Sequence, residues 1–354
     1  MIYYLFFAFT SFLSSLAGKN KLLFVLLIII LVLFAGTRIN VDNDYFMYKD
    51  QILYVEDTLK AFMDRSIPLE YCMYVIPNFL EYFFYDKSEI VNSTFLIFAF
   101  LGVTTKLLAI KKYSEIFFLS VLLYLGNLFM MQEMTTIRAG VAAGIFLLAL
   151  DNLEKKEHKQ FFFKILLCFF FHSSSVLFVL AWFLLQFKIN IKYYYFGIVV
   201  SFIFVALKVN ILTLLMLDRV FPRVKAYLDA MEWMVEDKAN VFNFRGLFAL
   251  FIIILFAFHY KKLKNIKYFD VLFKIHIFSL CLFYVFSTTA QVFSIRTFEM
   301  FSVAHLLLYP MLIHIFHPKL KLVGWAIIIL FSFIQIYYMV DVAGIYKPYQ
   351  SWLF

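Results

Sequence analysis

Four arginines stand apart in this sequence. Arg38, Arg138, Arg245 and Arg296 each sit at the edge of a long apolar run, whereas the short loops between other runs use lysine almost exclusively. Arginine deep in a span costs roughly 2.5–3.5 kcal/mol on insertion scales and usually marks a pathway or an anion site. Its planar fork engages phosphate oxygens two at a time, where lysine offers a point charge. Four such groups converging on one level would suit a phosphate or pyrophosphate. Each arginine alone also has a plainer reading, as a head-group contact or half of an ion pair. Arg296 has Glu299 three residues on, the same face of a helix, and Arg138 has Glu133 nearby.

Two residues could do acid–base work. His172 lies in Phe169-Phe170-Phe171-His172-Ser173-Ser174-Ser175, and an imidazole there could take a proton from a hydroxyl nucleophile. The same histidine could instead cap backbone freed by a broken helix. Asp44 is the second candidate, in the stretch Gly36-Thr37-Arg38-Ile39-Asn40-Val41-Asp42-Asn43-Asp44-Tyr45-Phe46-Met47-Tyr48. Asp42 and Asp44 could hold a divalent cation, but Asp-x-Asp is a weak signal. A solvated turn is the better reading, and no metal is expected. Tyr45 and Tyr48 could offer amphipathic rings to a sugar or belong to an interfacial aromatic belt. Glu299 is grouped with them as a sugar-binding candidate. His314-x-x-His317 has metal-like spacing without a third ligand, and Asp270 and Lys274 read as an i,i+4 pair. No P-loop or glycine-rich fingerprint is present, so no nucleotide or other cofactor is expected.

The elements that position these residues follow from composition. Of 354 residues, 64% are hydrophobic and only 16% charged, with 49 Phe, 23 Tyr and a mean hydropathy of +0.87. Such a chain would leave large apolar patches on any water-soluble globule. A span takes about 20 apolar residues, so with short turns there is room for roughly ten to twelve crossings. Soluble enzymes, secreted disulfide scaffolds and nucleic-acid-binding domains are excluded. The net charge of +9 reads as cytoplasmic-loop lysine, not as a nucleic-acid surface. Cys72, Cys168 and Cys281 are odd in number and widely separated, which predicts neither a disulfide framework nor a zinc site. Met1-Ile-Tyr-Tyr lacks a basic leader and a cleavage site, so the first apolar run should remain as a span.

The apolar runs fall near 2–17, 22–36, 70–85, 90–110, 115–131, 137–152, 161–187, 193–209, 245–260, 268–288, 297–316 and 322–341. Six lysine clusters predict the cytoplasmic side: Lys19 and Lys21, Lys111 and Lys112, Lys155 to Lys159, Lys188 and Lys192, Lys261 to Lys267, and Lys319 and Lys321. The long loops 37–69 and 208–244 hold four basic with six acidic side chains and five of each, so both belong outside, covering an extracytoplasmic cavity. The ledger places the four arginines on that outer side. It also forces two irregularities. Run 161–187 joins two lysine-rich loops and is too short for two crossings, which predicts a broken or re-entrant hairpin with its tip at His172-Ser173-Ser174-Ser175. Run 70–85, carrying Glu70, Glu81 and Pro77, reads as an amphipathic helix at the outer interface. The stretch from Asp218 to Lys238, with Trp233, reads as an amphipathic outer loop. The expectation is an all-α polytopic membrane protein of about 11–12 transmembrane helices, one transmembrane domain over 1–354.

The order of these features resembles a family. A span ends in Gly-Thr-Arg before a loop with Asp-Tyr; Gln132 to Arg138 opens a span; Phe171-His172-Ser173 follows; and Ser294-Ile295-Arg296 comes late. This is similar to the EpsG-like branch of bacterial Wzy-type polysaccharide polymerases, over nearly the whole chain. Where that family has glycine before Asp-Tyr, this chain has Asn43, and Ser173 stands at its basic position after Phe-His. The resemblance implies an architecture related to O-antigen ligase and other GT-C enzymes. It implies an inverting, metal-independent glycosyltransferase that joins oligosaccharide units carried on undecaprenyl pyrophosphate, at the outer face of the bacterial inner membrane. Donor and acceptor glycans and the bilayer are then the partners, with a place for a chain-length regulator and none for nucleic acid. Arg38, Arg138 and Arg296, with Arg245 beside them, would neutralise the leaving pyrophosphate, and His172 or Asp44 would deprotonate the acceptor hydroxyl.

Other classes remain open on the residues alone. A flippase would also want a cationic cavity, but its usual repeated halves are not visible. A glycan-modifying acyltransferase would not need several outward arginines. A ligase shares the chemistry and differs in its acceptor.

Overall fold

The computed structural model describes residues 1–56, 58–64, 69–187, 189–220, 225, 228, 229, 240–289 and 291–353. The described residues are overwhelmingly helical, so the expected all-α polytopic architecture is present. Five helices among them are long and apolar enough to cross a membrane: Lys87–Tyr113, Phe117–Thr135, Phe244–Leu263, Phe269–Phe286 and Pro318–Val342. Shorter apolar helices such as Ile2–Ala17, Lys21–Gly36, Ile137–Leu148 and Ile191–Ala206 accompany them. The described residues divide into two compact units, those of 1–64 with 69–178 and 309–353, and those of 179–308.

In unit 1 the helices are α1 (Ile2–Ala17), α2 (Lys21–Gly36), α3 (Tyr45–Leu53), α4 (Leu59–Met63), α5 (Cys72–Leu80), α6 (Lys87–Tyr113), α7 (Phe117–Leu123), α8 (Ile137–Leu148), α9 (Leu150–Glu154) and α10 (His158–Phe171). Their starts are written in the sequence: the Asn20 side chain accepts from the N–H groups of Leu22 and Leu23, and Asp86 accepts from Ser88. The loop expected over 37–69 is partly helical, since α3 and α4 lie within it. Run 70–85 forms the short α5, with Pro77 inside it.

A π-helix continues α7 over Tyr124–Thr135. Wide turns of this kind are rare and are frequent at functional sites. It closes on α6 and α8 because glycines leave room. A Cβ on Gly140 would stand 2.2 Å from the Gln132 carbonyl oxygen, and one on Gly102 would stand 1.8 Å from Glu133 Oε2. Small residues at such crossings are how membrane helices approach closely.

Unit 1 has two chemically different ends. At one, Lys112 pairs with Asp151 at 2.7 Å, Lys111 lies over the Phe24 ring at 3.9 Å, and Tyr113 donates to the Leu148 carbonyl at 3.1 Å. These contacts gather the start of α2 with the ends of α6 and α8. The opposite ends of the same helices carry Arg38 and Arg138.

Run 161–187 breaks where expected. α10 stops at Phe171, His172 is extended (φ −150°, ψ 114°), and one 3-10 turn, Ser173–Val176, leads into α11 (Leu177–Gln186). Unit 2 holds α12 (Ile191–Ala206) and the helices Phe244–Leu263, Phe269–Phe286 and Gln291–Phe301. The amphipathic stretch expected around Trp233 lies outside the described residues.

Candidate functional site

The arginine end of unit 1 is built around the segment that follows α2. Residues near the C-terminus run against it: Ile39 N–H donates to Gln350, Lys347 N–H to Val41 and Trp352 N–H to Thr37, all at 2.9–3.0 Å. This pins Arg38, which is 1% exposed. Arg38 Nε meets Asp42 at 2.9 Å, Nη1 donates to Ala35 O at 2.7 Å, and Nη2 donates to Met134 O. Its guanidinium therefore caps the carbonyl ends of both α2 and the π-helix, which is where helices leave acceptors unfilled and favour cations.

Two expectations are corrected here. Arg38 does not offer an open fork to a pyrophosphate, because burial and these bonds commit it to its own chain. Asp42 is not a solvated turn residue but the buried partner of that cation. Asp44 is half-buried, with its N–H on Asp42 Oδ1 at 3.1 Å. Tyr45 is buried and stacked on Phe95, 5.2 Å between ring centres, and Tyr48 is buried as well. Neither ring is an open sugar platform: Phe95 of α6 covers Tyr45, and the Arg138 guanidinium lies over Tyr48.

A second cluster in the same unit joins residues from four elements. Arg138, on the first turn of α8, pairs through Nη1 with Glu70 Oε2, and its guanidinium lies 5.0 Å from the Tyr48 ring of α3. A cation at a helix N-terminus is disfavoured by the helix dipole, so the carboxylate partner carries weight. The other Glu70 oxygen, Oε1, lies 3.4 Å from His172 Nδ1 and accepts from Ser173 Oγ at 3.4 Å. Glu70 is 1% exposed, Arg138 12% and His172 15%. The pair is thus buried on the carboxylate side and reachable on the arginine and histidine sides. Cys72 is next door, but burial pushes its thiol up, so it is no ready nucleophile.

Glu133, taken from the sequence as a partner for Arg138, is engaged elsewhere. Lys106 Nζ of α6 contacts Glu133 Oε1 at 2.6 Å and donates to Gly140 O at 2.6 Å, and Tyr124 OH donates to the same carboxylate at 3.0 Å. Lys106 and Glu133 are both sealed from solvent.

In unit 2, Arg245 Nη1 meets Glu299 Oε1 at 2.5 Å, on a helix capped by Asn243. Arg296 is exposed on Gln291–Phe301. The four arginines thus divide two and two between the units. The buried His276 faces the half-buried His305 at 2.7 Å, with His276 Nε2 3.2 Å from Ala249 O. Asp270 and Lys274 form the expected pair at 2.7 Å. Back in unit 1, His314 contacts Glu115 at 2.5 Å. Among the described residues no three His, Cys, Asp or Glu side chains gather as a metal site would need.

Sequence reasoning named Arg138, His172 and Tyr48 but missed Glu70 as their junction. The available signal was a carboxylate opening an apolar run between a polar loop and Pro77. Compared with known families, the chain matches the EpsG family over residues 21–351. No curated protein and no solved structure matches it.

Proposed function

The chain belongs to the EpsG family, and on that premise we propose that it polymerises oligosaccharide repeat units carried on undecaprenyl pyrophosphate. Family membership points to a glycosyltransferase-like polymerase in polysaccharide biosynthesis, and the apolar helices to a multi-pass membrane protein. The finer reading is an inverting, metal-independent enzyme of the Wzy type. It sits in the bacterial inner membrane with the arginine end of unit 1 facing outward, and it makes O-antigen, capsule or exopolysaccharide.

The observation that carries this reading is the Arg138–Glu70–His172 cluster at the end of unit 1 opposite the lysines. Arg138 takes the diphosphate of the donor lipid, because a guanidinium fork can hold two oxygens while charge develops on the leaving group. His172 accepts the proton of the acceptor hydroxyl. The hydroxyl oxygen bonds the anomeric carbon from the face opposite the diphosphate, the carbon–oxygen bond to the diphosphate breaks, and its electron pair leaves on undecaprenyl pyrophosphate. Asp44 is the reserve base, and Arg38 shapes the loop that carries it. In unit 2, Arg245 with Glu299 and the exposed Arg296 are anion and sugar contacts of that unit.

The test is incubation of the purified protein in vesicles with a lipid-linked repeat unit, read on a gel. A ladder of lengthening glycan is the expected result. Translocation of the lipid without a ladder identifies a flippase and overturns the proposal.

A further inference from the structure

Glu70 touches both halves of the proposed chemistry, the cation through Oε2 and the imidazole through Oε1. We infer that Glu70 is the positioning carboxylate of His172, holding the proton of Nδ1 so that Nε2 is the atom that accepts the hydroxyl proton. This rests on the reading of His172 as the base.

The geometry behind it has three parts. First, a neutral imidazole carries one proton, and an acceptor beside Nδ1 places it there, leaving the Nε2 lone pair for substrate. Glu70 Oε1 stands 3.4 Å from Nδ1, within ion-pair reach, and catalytic hydrogen bonds that are long without substrate tighten in the working complex. Second, His172 is the extended residue between α10 and a 3-10 turn, so its own helix does not fix the ring. A side chain at such a break needs an outside partner to hold one orientation, and Glu70 comes from another part of the chain, 102 residues away (172 minus 70). Third, Arg138 is permanently protonated, which supplies the counter-charge a buried carboxylate requires. Ser173 Oγ donates to the same Oε1 and narrows its position further.

The proton balance closes. Nε2 takes the proton from the acceptor hydroxyl as oxygen bonds the anomeric carbon, the imidazolium is steadied by the Glu70 carboxylate, and the diphosphate departs with its electron pair. The imidazolium then returns the proton to water or to the released diphosphate. Glu70 touches no substrate in this scheme. It acts through His172.

The experiment is a double-mutant cycle on glycan extension in vesicles, using Glu70→Gln, His172→Ala and the pair together. Glu70→Gln should lower kcat by about 10²–10⁴-fold while KM for the acceptor stays within about two-fold, as when an orienting carboxylate is neutralised. The pair should be no slower than His172→Ala alone, because residues that act as a unit lose their effect once. Losses that multiply, or a change confined to KM, overturn the inference while leaving the base assignment in place. If His172→Ala extends glycan at the unaltered rate, both the base reading and this inference fall. Where Glu70→Gln does not fold, Glu70→Asp keeps a negative charge to balance Arg138 while drawing the carboxylate back from the 3.4 Å contact with His172 by one methylene. Slowed extension by the folded Asp variant supports the inference, and full-rate extension overturns it.

Discussion

Unit 1 buries carboxylates beside cations at Asp42, Glu133 and Glu70, and what surrounds the last two pairs differs. Around Glu133 the contacts close on themselves: Lys106, the Tyr124 hydroxyl and the Gly140 carbonyl converge, and Gly102 leaves only enough space for Oε2. Around Glu70 the partners are an arginine, a histidine and a serine, and the first two reach solvent. Location follows the same division. Lys106 and Glu133 lie within two of the long apolar helices, whereas Glu70, Arg138 and His172 stand where helices begin or end. A sealed ion pair cannot exchange partners with a ligand and serves to lock helices together. A guanidinium at a helix terminus can keep one nitrogen on its carboxylate and turn another to an incoming anion. The lesson is that an intramembrane charge is a functional pointer only after its exits have been traced.

The largest effect should come from breaking the sealed pair on one side. Lys106→Met leaves Glu133 buried without its cation and should cost about 3–5 kcal/mol, read as a fall in the thermal unfolding midpoint in detergent. Removing both charges with Lys106→Met and Glu133→Gln should recover most of that loss, since replacing a buried pair by neutral groups of similar volume is often close to neutral. The analogous double change at the open site, Arg138→Met with Glu70→Gln, should fold and fail to extend glycan. Equal behaviour of the two double variants would erase the distinction between the regions.

A smaller effect is expected from Gly102→Ala. Its methyl group would stand 1.8 Å from Glu133 Oε2, so the carboxylate must move, at a cost of about 1–3 kcal/mol. The midpoint should fall without a change in extension rate per folded molecule. A drop in that rate would tie the sealed pair to the chemistry.

The smallest concerns the ring first taken for a sugar platform. Tyr45→Leu removes the stack on Phe95 and should cost about 0.5–1.5 kcal/mol beyond the lost area, with KM for the glycan unchanged. A raised KM with unaltered stability would return Tyr45 to sugar binding.

Much of the fold is legible in the sequence because membranes impose it locally. Apolar runs, Asn and Asp caps and the polar break at His172 to Ser175 each lie within a few neighbouring residues, as does the Asp270–Lys274 pair. Side-chain partners are another matter. Arg138 has Glu133 five residues away in sequence yet meets Glu70, and Glu133 meets Lys106 of a different helix. These choices depend on how closely helices approach, which Gly102 and Gly140 permit but do not announce. The π-helix shifts its side chains off the 3.6-residue period, so face assignments made from that period fail there. Arg38 was misread for a related reason. Its burial comes from residues near the C-terminus crossing back over 37–41, a contact separated by some three hundred positions.

Arg138→Lys addresses the central claim most directly. Release of undecaprenyl pyrophosphate would be followed in vesicles for the unaltered protein and this variant, with unfolding midpoints measured on the same preparations. Lysine keeps the charge and the pair with Glu70 but cannot hold two phosphate oxygens in one plane. The account predicts release slowed by about 10²–10³-fold at an unchanged midpoint. Release at the unaltered rate would contradict it and remove this cluster from the chemistry.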